Sequence, residues 1–532
     1  MKRARFFIAV AVVLSIAVAL RVPKLGMRPM HADEAVQAFR FRDLWEHHRY
    51  LYNPDEFHGP TLAYATYPIV WMSGARTFAE TTKATYRMVA VLFGVLGVML
   101  IVTFSVPFGK RAALWAALFA AVSPALVFYS RYYIHEMLLA VFSLGAMLLV
   151  ARYWKQPTAA AALGLGICIG LMQATKETAA ISYLAALLAY AATRVWQWRT
   201  GENSSSSPTV AASPSNSVYS RRRLLRHGVL TATVAVAVAS LFLSSFGTNL
   251  RGPIDGVRTY LPWLHRAGGA SPHIHGWYFY LQRLIWWHPQ HSWPWSEAMI
   301  ALFGTVGLIA IMRPPFSRSD PAGRWFGRWF GIYTVLLTIL YCAIPYKTPW
   351  CLVQFWLGWI VLAGVGAARL TERERSFLGR WAVMIVLMVG SEILGAEAYY
   401  ASYIRVASRQ NPYLYAQTSF GVETLSKEVG TVAAVTSEPR RMRVQVIWND
   451  AFYWPLPWYL RQYDRTEYWQ NIPAQLNAPI IVAAPQFDRV LTERLGREYI
   501  MVGYYELRPQ VLMQLWVRFD LWEAVLKRLK RI

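Results

Sequence analysis

The chain has 532 residues, 55% of them hydrophobic and only 16% charged, far more apolar surface than a soluble core of this length needs, which excludes an ordinary water-soluble globular protein. Its formal net charge of +25 lies in short basic stretches between long apolar runs, the pattern that orients a polytopic membrane protein rather than one that binds nucleic acid. The 24 Trp and 30 Tyr suit interfacial belts, and no nucleic-acid-binding module accompanies them. Cys168, Cys342 and Cys351 sit in or beside apolar runs and give no disulfide framework. Cys342 with Cys351 is the one pairing near a single membrane face, and the odd count speaks against it.

In chain order, Lys2, Arg3 and Arg5 precede an apolar run over 6–20, read as a signal-anchor, with a cleavable signal as the alternative given Ala17-Val18-Ala19. Either way the next segment is expected outside the cytoplasm. Residues 23–83 form a long first external loop with two amphipathic pieces, 33–49 and 61–78, suited to helices lying in the interface plane, and a turn-rich segment over 52–60 between them. Apolar runs of spanning length follow at 84–106, 112–129, 134–152, 158–175, 178–195, 228–246, 297–312, 329–345, 350–368 and 381–400, about eleven spans with the first. With the N-terminus inside, every loop assigned to the cytoplasm is basic: Lys110 and Arg111, Arg152 and Lys155, then 194–226, 313–328 and 369–380. The serine-rich stretch 200–217 is expected to be a linker. From about residue 401 the hydropathy falls, and strand-like runs at 444–448, 480–484 and 499–507 alternate with helical pieces. The expected architecture is an all-α polytopic membrane domain over 1–400 and a small external α/β domain over 401–532, closing on an interfacial helix over 517–532.

Ionisable residues at the span ends collect on the predicted outer face: Asp33, Glu34, His58, Arg131, His135, Glu136, Lys176, Glu177 and Lys347. Beside a bilayer such groups cost free energy unless they pair or line a cavity. Asp33, in Met30-His31-Ala32-Asp33-Glu34-Ala35, is read as a general base taking the proton of an attacking hydroxyl; capping a helix is its plainer role. Glu34, pointing about 100° away on a helix, is read as its catalytic support. Arg131 serves equally as a snorkelling anchor, and Lys176-Glu177 as a salt-bridged turn. Glu136 offers a second acid that orients the base, binds a sugar or helps hold an ion. Tyr346 and Lys347 offer a hydroxyl and a cation to a lipid phosphate, with interfacial anchoring as the plainer reading. His273, His275, His288 and His291 make a weak metal pattern.

Together these residues resemble the GT-C superfamily of polyprenyl-phosphate-dependent glycosyltransferases, which includes the protein O-mannosyltransferases and the aminoarabinose transferase of lipid A. The resemblance is nearer to the flippase-activity-associated proteins named from archaeal N-glycosylation. It is carried by His31-Ala32-Asp33-Glu34-Ala35, His58-Gly59-Pro60, Ser130-Arg131, Ala174-Thr175-Lys176-Glu177, Lys347-Thr348-Pro349-Trp350 and, in the external domain, Trp454-Pro455-Leu456-Pro457-Trp458-Tyr459-Leu460-Arg461. The resemblance implies inverting transfer of a sugar from a polyprenyl-phosphate donor to a hydroxyl of a lipid, glycan or protein acceptor, at the outer face of the cytoplasmic membrane. Asp33 and Glu34 would be catalytic; His58, Arg131, Glu136, Lys176, Glu177, Tyr346 and Lys347 would bind substrate, with Lys347 and Arg131 toward the leaving phosphate. No cofactor is implied beyond an optional divalent ion, for which Asp33, His135 and Glu136 are the candidate ligands. Two positions depart from the better-known relatives: His58-Gly59-Pro60 replaces a Lys-Pro-Pro, and His135-Glu136 an Asn-Asp. The alternative, a transporter of lipid-linked sugars or its accessory, predicts inverted repeats and broken helices at mid-bilayer, and no such repeat is present in the sequence.

Overall fold

A computed structural model describes residues 3–55, 58–200, 214–268, 273–290, 293–313, 321–373 and 376–529. Most of the 200–217 linker, and His291, lie outside the described residues. All eleven apolar runs form helices, and among the described residues eight are long and apolar enough to cross a membrane. Two others, Ala159–Gln173 and Ala298–Met312, are apolar but shorter. The run expected over 112–129 is broken into Lys110–Val122 and Pro124–Tyr129. Pro124 has no amide to continue the ladder, and Ser123 caps the second piece by accepting the Leu126 N–H.

Glu297, which the sequence reading passed over as the start of a span, sits at this break. Its carboxyl is fully buried and takes bonds from Ser123 Oγ (2.5 Å), Ala125 N (2.9 Å), Tyr413 OH (2.8 Å) and Trp356 Nε1 (2.9 Å). Four donors offset the cost of burying one acid and tie the broken span to the Leu352–Arg373 helix and to the segment after the last span. Leu352–Arg373 is the central helix: its Val353, Phe355, Ile360 and Leu362 are wholly buried, whereas Ile385, Val386, Val389 and Ile393 of the peripheral Phe377–Tyr399 helix stay exposed. It meets Ala298–Met312 backbone to backbone, because Gly307 and Gly366 face each other; a Cβ on Gly307 would lie 1.9 Å from Leu362 O.

Both helices expected in the first external loop are present, as Ala32–His47 and Thr61–Ser73. A second amphipathic pair, Gly252–Arg258 and Tyr260–Gly268, was not foreseen; it turns Ile254, Val257, Leu261 and Leu264 outward, each at least 63% exposed. An uncovered apolar stripe on short helices beside spanning ones fits a lipid surface.

The C-terminal part is a five-stranded sheet with order β2-β1-β3-β5-β4, formed by β1 (Arg443–Ile447), β2 (Arg465–Trp469), β3 (Ile480–Ala483), β4 (Tyr499–Arg508) and β5 (Val511–Arg518). β1 pairs in parallel with β2 and β3, while β5 pairs antiparallel with β3 and β4. The three expected strands are β1, β3 and β4. β2 was missed because it is a half-exposed edge strand without an apolar period, and β5 because its end was read into the tail. The tail corrects in a second way: Phe519–Arg528 lays Leu521, Trp522 and Val525 against the sheet's own core rather than on a membrane surface. Amphipathic spacing specifies an apolar stripe but not what covers it. This sheet unit docks on the membrane helices through Lys83 to Glu423 (2.5 Å), Arg461 to Thr81 O (2.7 Å) and Met30 N to Tyr459 OH (2.8 Å).

Replacing Gly307 with Leu forces these two helices apart and is expected to cost about 1–3 kcal/mol or more. Thermal unfolding in detergent checks this: Gly307→Leu lowers Tm, while Gly228→Ala, where a Cβ meets nothing within 4 Å, leaves it unchanged.

Candidate active site

The Ala32–His47 helix opens with a capping box: the His31 ring accepts the Asp33 N–H at 3.1 Å, and the Glu34 carboxylate accepts the His31 N–H at 3.0 Å. Glu34 then goes inward. It is fully buried and takes Arg87 through both Nε (2.8 Å) and Nη2 (2.6 Å), the Tyr133 N–H (3.0 Å) and, at longer range, Arg28 Nη2 (3.5 Å). Arg87 also donates to the carbonyls of Leu25, Arg28 and Pro29, which fixes the chain entering the helix. Burial alone pushes the Glu34 carboxyl up, but the charges of Arg87 and Arg28 overcome it and hold it well below the ordinary range. Every lone-pair direction of this acid is engaged and it does not line the cavity, a placement that departs from the catalytic one expected of Glu34. Arg87, in the first turn of the next span, was missed by sequence reasoning.

Asp33, one residue earlier, points about 100° away into a cavity of about 890 Å³, at the upper end of the usual range for small-molecule sites. Its side chain is 50% exposed. The same face of the helix adds Gln37 and Arg40, a spacing of three and four residues that could have flagged Arg40 in the sequence. His58, His135, Glu136, Lys176, Glu177 and Tyr346 also line this cavity. Glu136 forms a close ion pair with Lys176, and His58 Nδ1 lies 2.8 Å from a Glu177 oxygen. Burial disfavours charge on Lys176, but Glu136 overrides it and holds the amine above its ordinary range, so it stays an ammonium. His135 donates from Nε2 to Gly59 O at 3.0 Å; burial, then the nearby His58 and Lys176 charges, push its pKa well down and keep it neutral. Arg266, which the sequence reading did not single out, joins the wall from the second amphipathic pair and lies over Trp263.

The motifs around residues 58 and 176 are one structure. Gly59 N donates to Thr175 O (3.1 Å), Thr61 Oγ1 to Thr175 Oγ1 (2.8 Å), and a Cβ on Gly59 would lie 2.1 Å from Ala174 O. Only glycine lets these two turns touch, which carries His58 next to Glu177.

Two expected members are elsewhere. Arg131 turns from the cavity and donates to Arg21 O (2.6 Å), Pro23 O (2.8 Å) and Tyr403 OH (2.9 Å), with burial lowering its pKa to about 10. Lys347 is 1% exposed, its ammonium closed off by the carbonyls of His275 and Ile344, while its neighbours Tyr346 and Thr348 face the cavity. Alternation along this extended turn, invisible to a motif, sends the lysine the other way. Cys342 and Cys351 are free thiols. Asp33, His135 and Glu136 do not gather into a metal-ligand set: His135 and Glu136 are bonded to Gly59 and Lys176, and no group of three His, Cys, Asp or Glu suited to a metal occurs among the described residues. His273 instead bonds Tyr415 OH at 2.7 Å.

The arrangement is a cavity with the half-exposed Asp33 carboxylate, a held ammonium and an apolar wall. Its fold is that of the GT-C glycosyltransferases, on a multi-pass membrane protein. Residues 69–211 match the family model described as dolichyl-phosphate-mannose-protein mannosyltransferase. Over nearly its whole length the chain is similar to ArnT from Cupriavidus metallidurans bound to undecaprenyl phosphate, at TM-score 0.64 and 15% identity, covering 97% of this chain and 98% of that one. It is also similar to the archaeal oligosaccharyltransferase AglB from Archaeoglobus fulgidus in complex with an inhibitory peptide and a dolichol-phosphate, at TM-score 0.55 and 13% identity, covering 94% and 72%. No curated protein matches the sequence.

Glu34→Gln leaves Arg87 and Arg28 short of their counter-charge and is expected to cost about 3–5 kcal/mol at neutral pH. Because the folded carboxyl lies below its ordinary value of 4.5, its contribution is complete above that pH and fades as pH falls below it. Unfolding measured from pH 7 downward should therefore show a constant gap between variant and wild type that narrows only below about pH 4.5.

Proposed function

We propose that this protein transfers a sugar from a polyprenyl-phosphate donor to a hydroxyl acceptor in one inverting displacement, on the outer face of the cytoplasmic membrane. The observation that carries the reading is the state of Asp33. Of the cavity's carboxylates, Glu136 is held by Lys176, Glu177 by His58, and Asp43 by Arg42 at 3.3 Å. Among the described residues Asp33 accepts no hydrogen bond, and the one ionisable nitrogen within 4 Å of its carboxylate is Nδ1 of the neutral His31 ring, at 3.9 Å. A general base needs a lone pair free to meet the acceptor's proton, and Asp33 has one.

In the reaction the acceptor oxygen forms a bond to the anomeric carbon as its proton passes to Asp33. The bond from that carbon to the phosphate oxygen breaks, and the electron pair leaves with the lipid phosphate. Lys176 and Arg266 supply the positive charge that stabilises the departing phosphate, the part first assigned to Lys347 and Arg131. Glu136 fixes the Lys176 ammonium, and the His58–Glu177 pair offers hydrogen bonds to the sugar. The apolar wall, which includes Ile134, Ile181 and Ile344, suits the first isoprene units. The outward orientation is supported by the basic loops, and the all-α membrane part with its sheet unit supports a cell-envelope enzyme with a lipid, glycan or protein acceptor.

Asp33→Asn removes the base without touching the buried ion cluster. Transfer measured with a polyprenyl-phosphate sugar is expected to fall about 100-fold or more while Tm stays at the wild-type value; a fully active variant would end this assignment. Lys176→Met should instead weaken donor binding and lower kcat/KM about 10-fold to 100-fold, read by titration with undecaprenyl phosphate and by turnover.

A further inference from the structure

A line of aromatic rings leads from the cavity out over the sheet unit. Phe39 and Trp454 both line the cavity and meet edge to face at 5.3 Å. Trp454 stacks against Tyr453 at 6.3 Å, and Tyr453 against Tyr468 of edge strand β2 at 4.9 Å. Tyr468 is 38% exposed; Phe452 beside this line is 61% exposed, with the Arg508 guanidinium 5.6 Å from its ring. The displacement chemistry uses none of Tyr453, Tyr468 or Phe452.

Trp454 and Tyr453 lean partly on the cores beneath them, but Tyr468 and Phe452 at the end of the line stand open, which packing alone does not require. Here partly open ring faces alternate with polar groups: Asp450, whose carboxylate accepts the Phe452 N–H at 2.8 Å, Asn449 bonded to Gln486, and Arg508 donating to Phe452 O. Flat apolar faces edged by donors and acceptors complement units that are themselves amphipathic discs, with C–H groups on one face and hydroxyls at the rim. Saccharide rings have that form. The line leaves the cavity over the polar sheet unit, a course that suits a water-soluble chain better than a polyprenyl tail.

We propose that the Trp454–Tyr453–Tyr468 line is an acceptor-binding track and that the acceptor is a glycan chain, its rings lying along the track and its end hydroxyl reaching Asp33. This rests on the transfer reaction proposed above and adds the acceptor's class.

The test uses the full-length protein in a sugar-free detergent, with undecaprenyl phosphate, mannohexaose, chitohexaose, cellohexaose and hexaglycine as probes, read by saturation-transfer NMR and titration. The track predicts saturation of ring C–H protons in at least one hexasaccharide and none in hexaglycine. Tyr468→Ala should weaken that binding about tenfold, the size of one lost ring contact, while Tyr468→Phe retains it and both variants bind undecaprenyl phosphate as wild type does. Undecaprenyl phosphate binding with no saccharide contact, equal saccharide affinity in Tyr468→Ala, or a preference for hexaglycine would each overturn the track and leave the transfer reading standing. Failure of undecaprenyl phosphate to bind the wild-type protein would overturn the transfer reading itself.

Discussion

The buried ion cluster of Glu34 with Arg87 and Arg28 determines where everything else in the cavity can be. Taking three charges out of water is costly, and the cluster persists because the carboxylate meets two guanidinium nitrogens of Arg87 and two backbone amides in good geometry. It joins the first external helix, the first turn of the next span and the Tyr132-Tyr133 turn at one point. With Glu34 locked inward, helical geometry leaves the preceding residue no choice but the cavity side. The Asp-Glu pair is thus a division of labour, in which one carboxylate gives up its lone pairs to structure so that its neighbour can keep them.

A second consequence is electrostatic. Several ionisable side chains around the cavity are held in pairs, Lys176 with Glu136, Arg42 with Asp43 and Glu177 with the His58 ring, while Arg266 and Asp33 bring charges of opposite sign to the same wall. A phosphate entering such a place can draw on Lys176, and Asp33 remains the anionic exception. The tight contact of Gly59 with Ala174 makes this pairing possible, since it brings two distant turns to van der Waals distance.

Much of this was legible in the sequence because it follows from solvent preference. Span positions, the two interfacial helices and the three core strands were readable from runs and periods, and Asp33, His58, Glu136, Lys176 and Glu177 from the rarity of charge at span ends. What failed was direction. Arg131 and Lys347 lie in the right turns, yet their side chains leave on the other side, one to carbonyls near Arg21 and one to those near Ile344. Arg266 was missed because it comes from an amphipathic pair with no charge pattern of its own, and Trp454, named within its motif, gave no sign that it reaches the cavity. The amphipathic stripe of Phe519–Arg528 was read correctly as a stripe and wrongly as lipid-facing. Sequence encodes which residues avoid water or need partners; which partner they find is decided by packing between segments far apart in the chain.

The central claim is that Asp33 is the free carboxylate at the reacting carbon. The most direct measurement is a structure of the full-length protein with a non-transferable phosphonate analogue of a polyprenyl-phosphate sugar. The phosphonate should lie beside Lys176 and Arg266, with Asp33 across the anomeric carbon from it, separated by room for one acceptor hydroxyl about 3 Å from the carboxylate. A phosphonate seated against Arg131 or Lys347, or a sugar ring out of reach of Asp33, would contradict it.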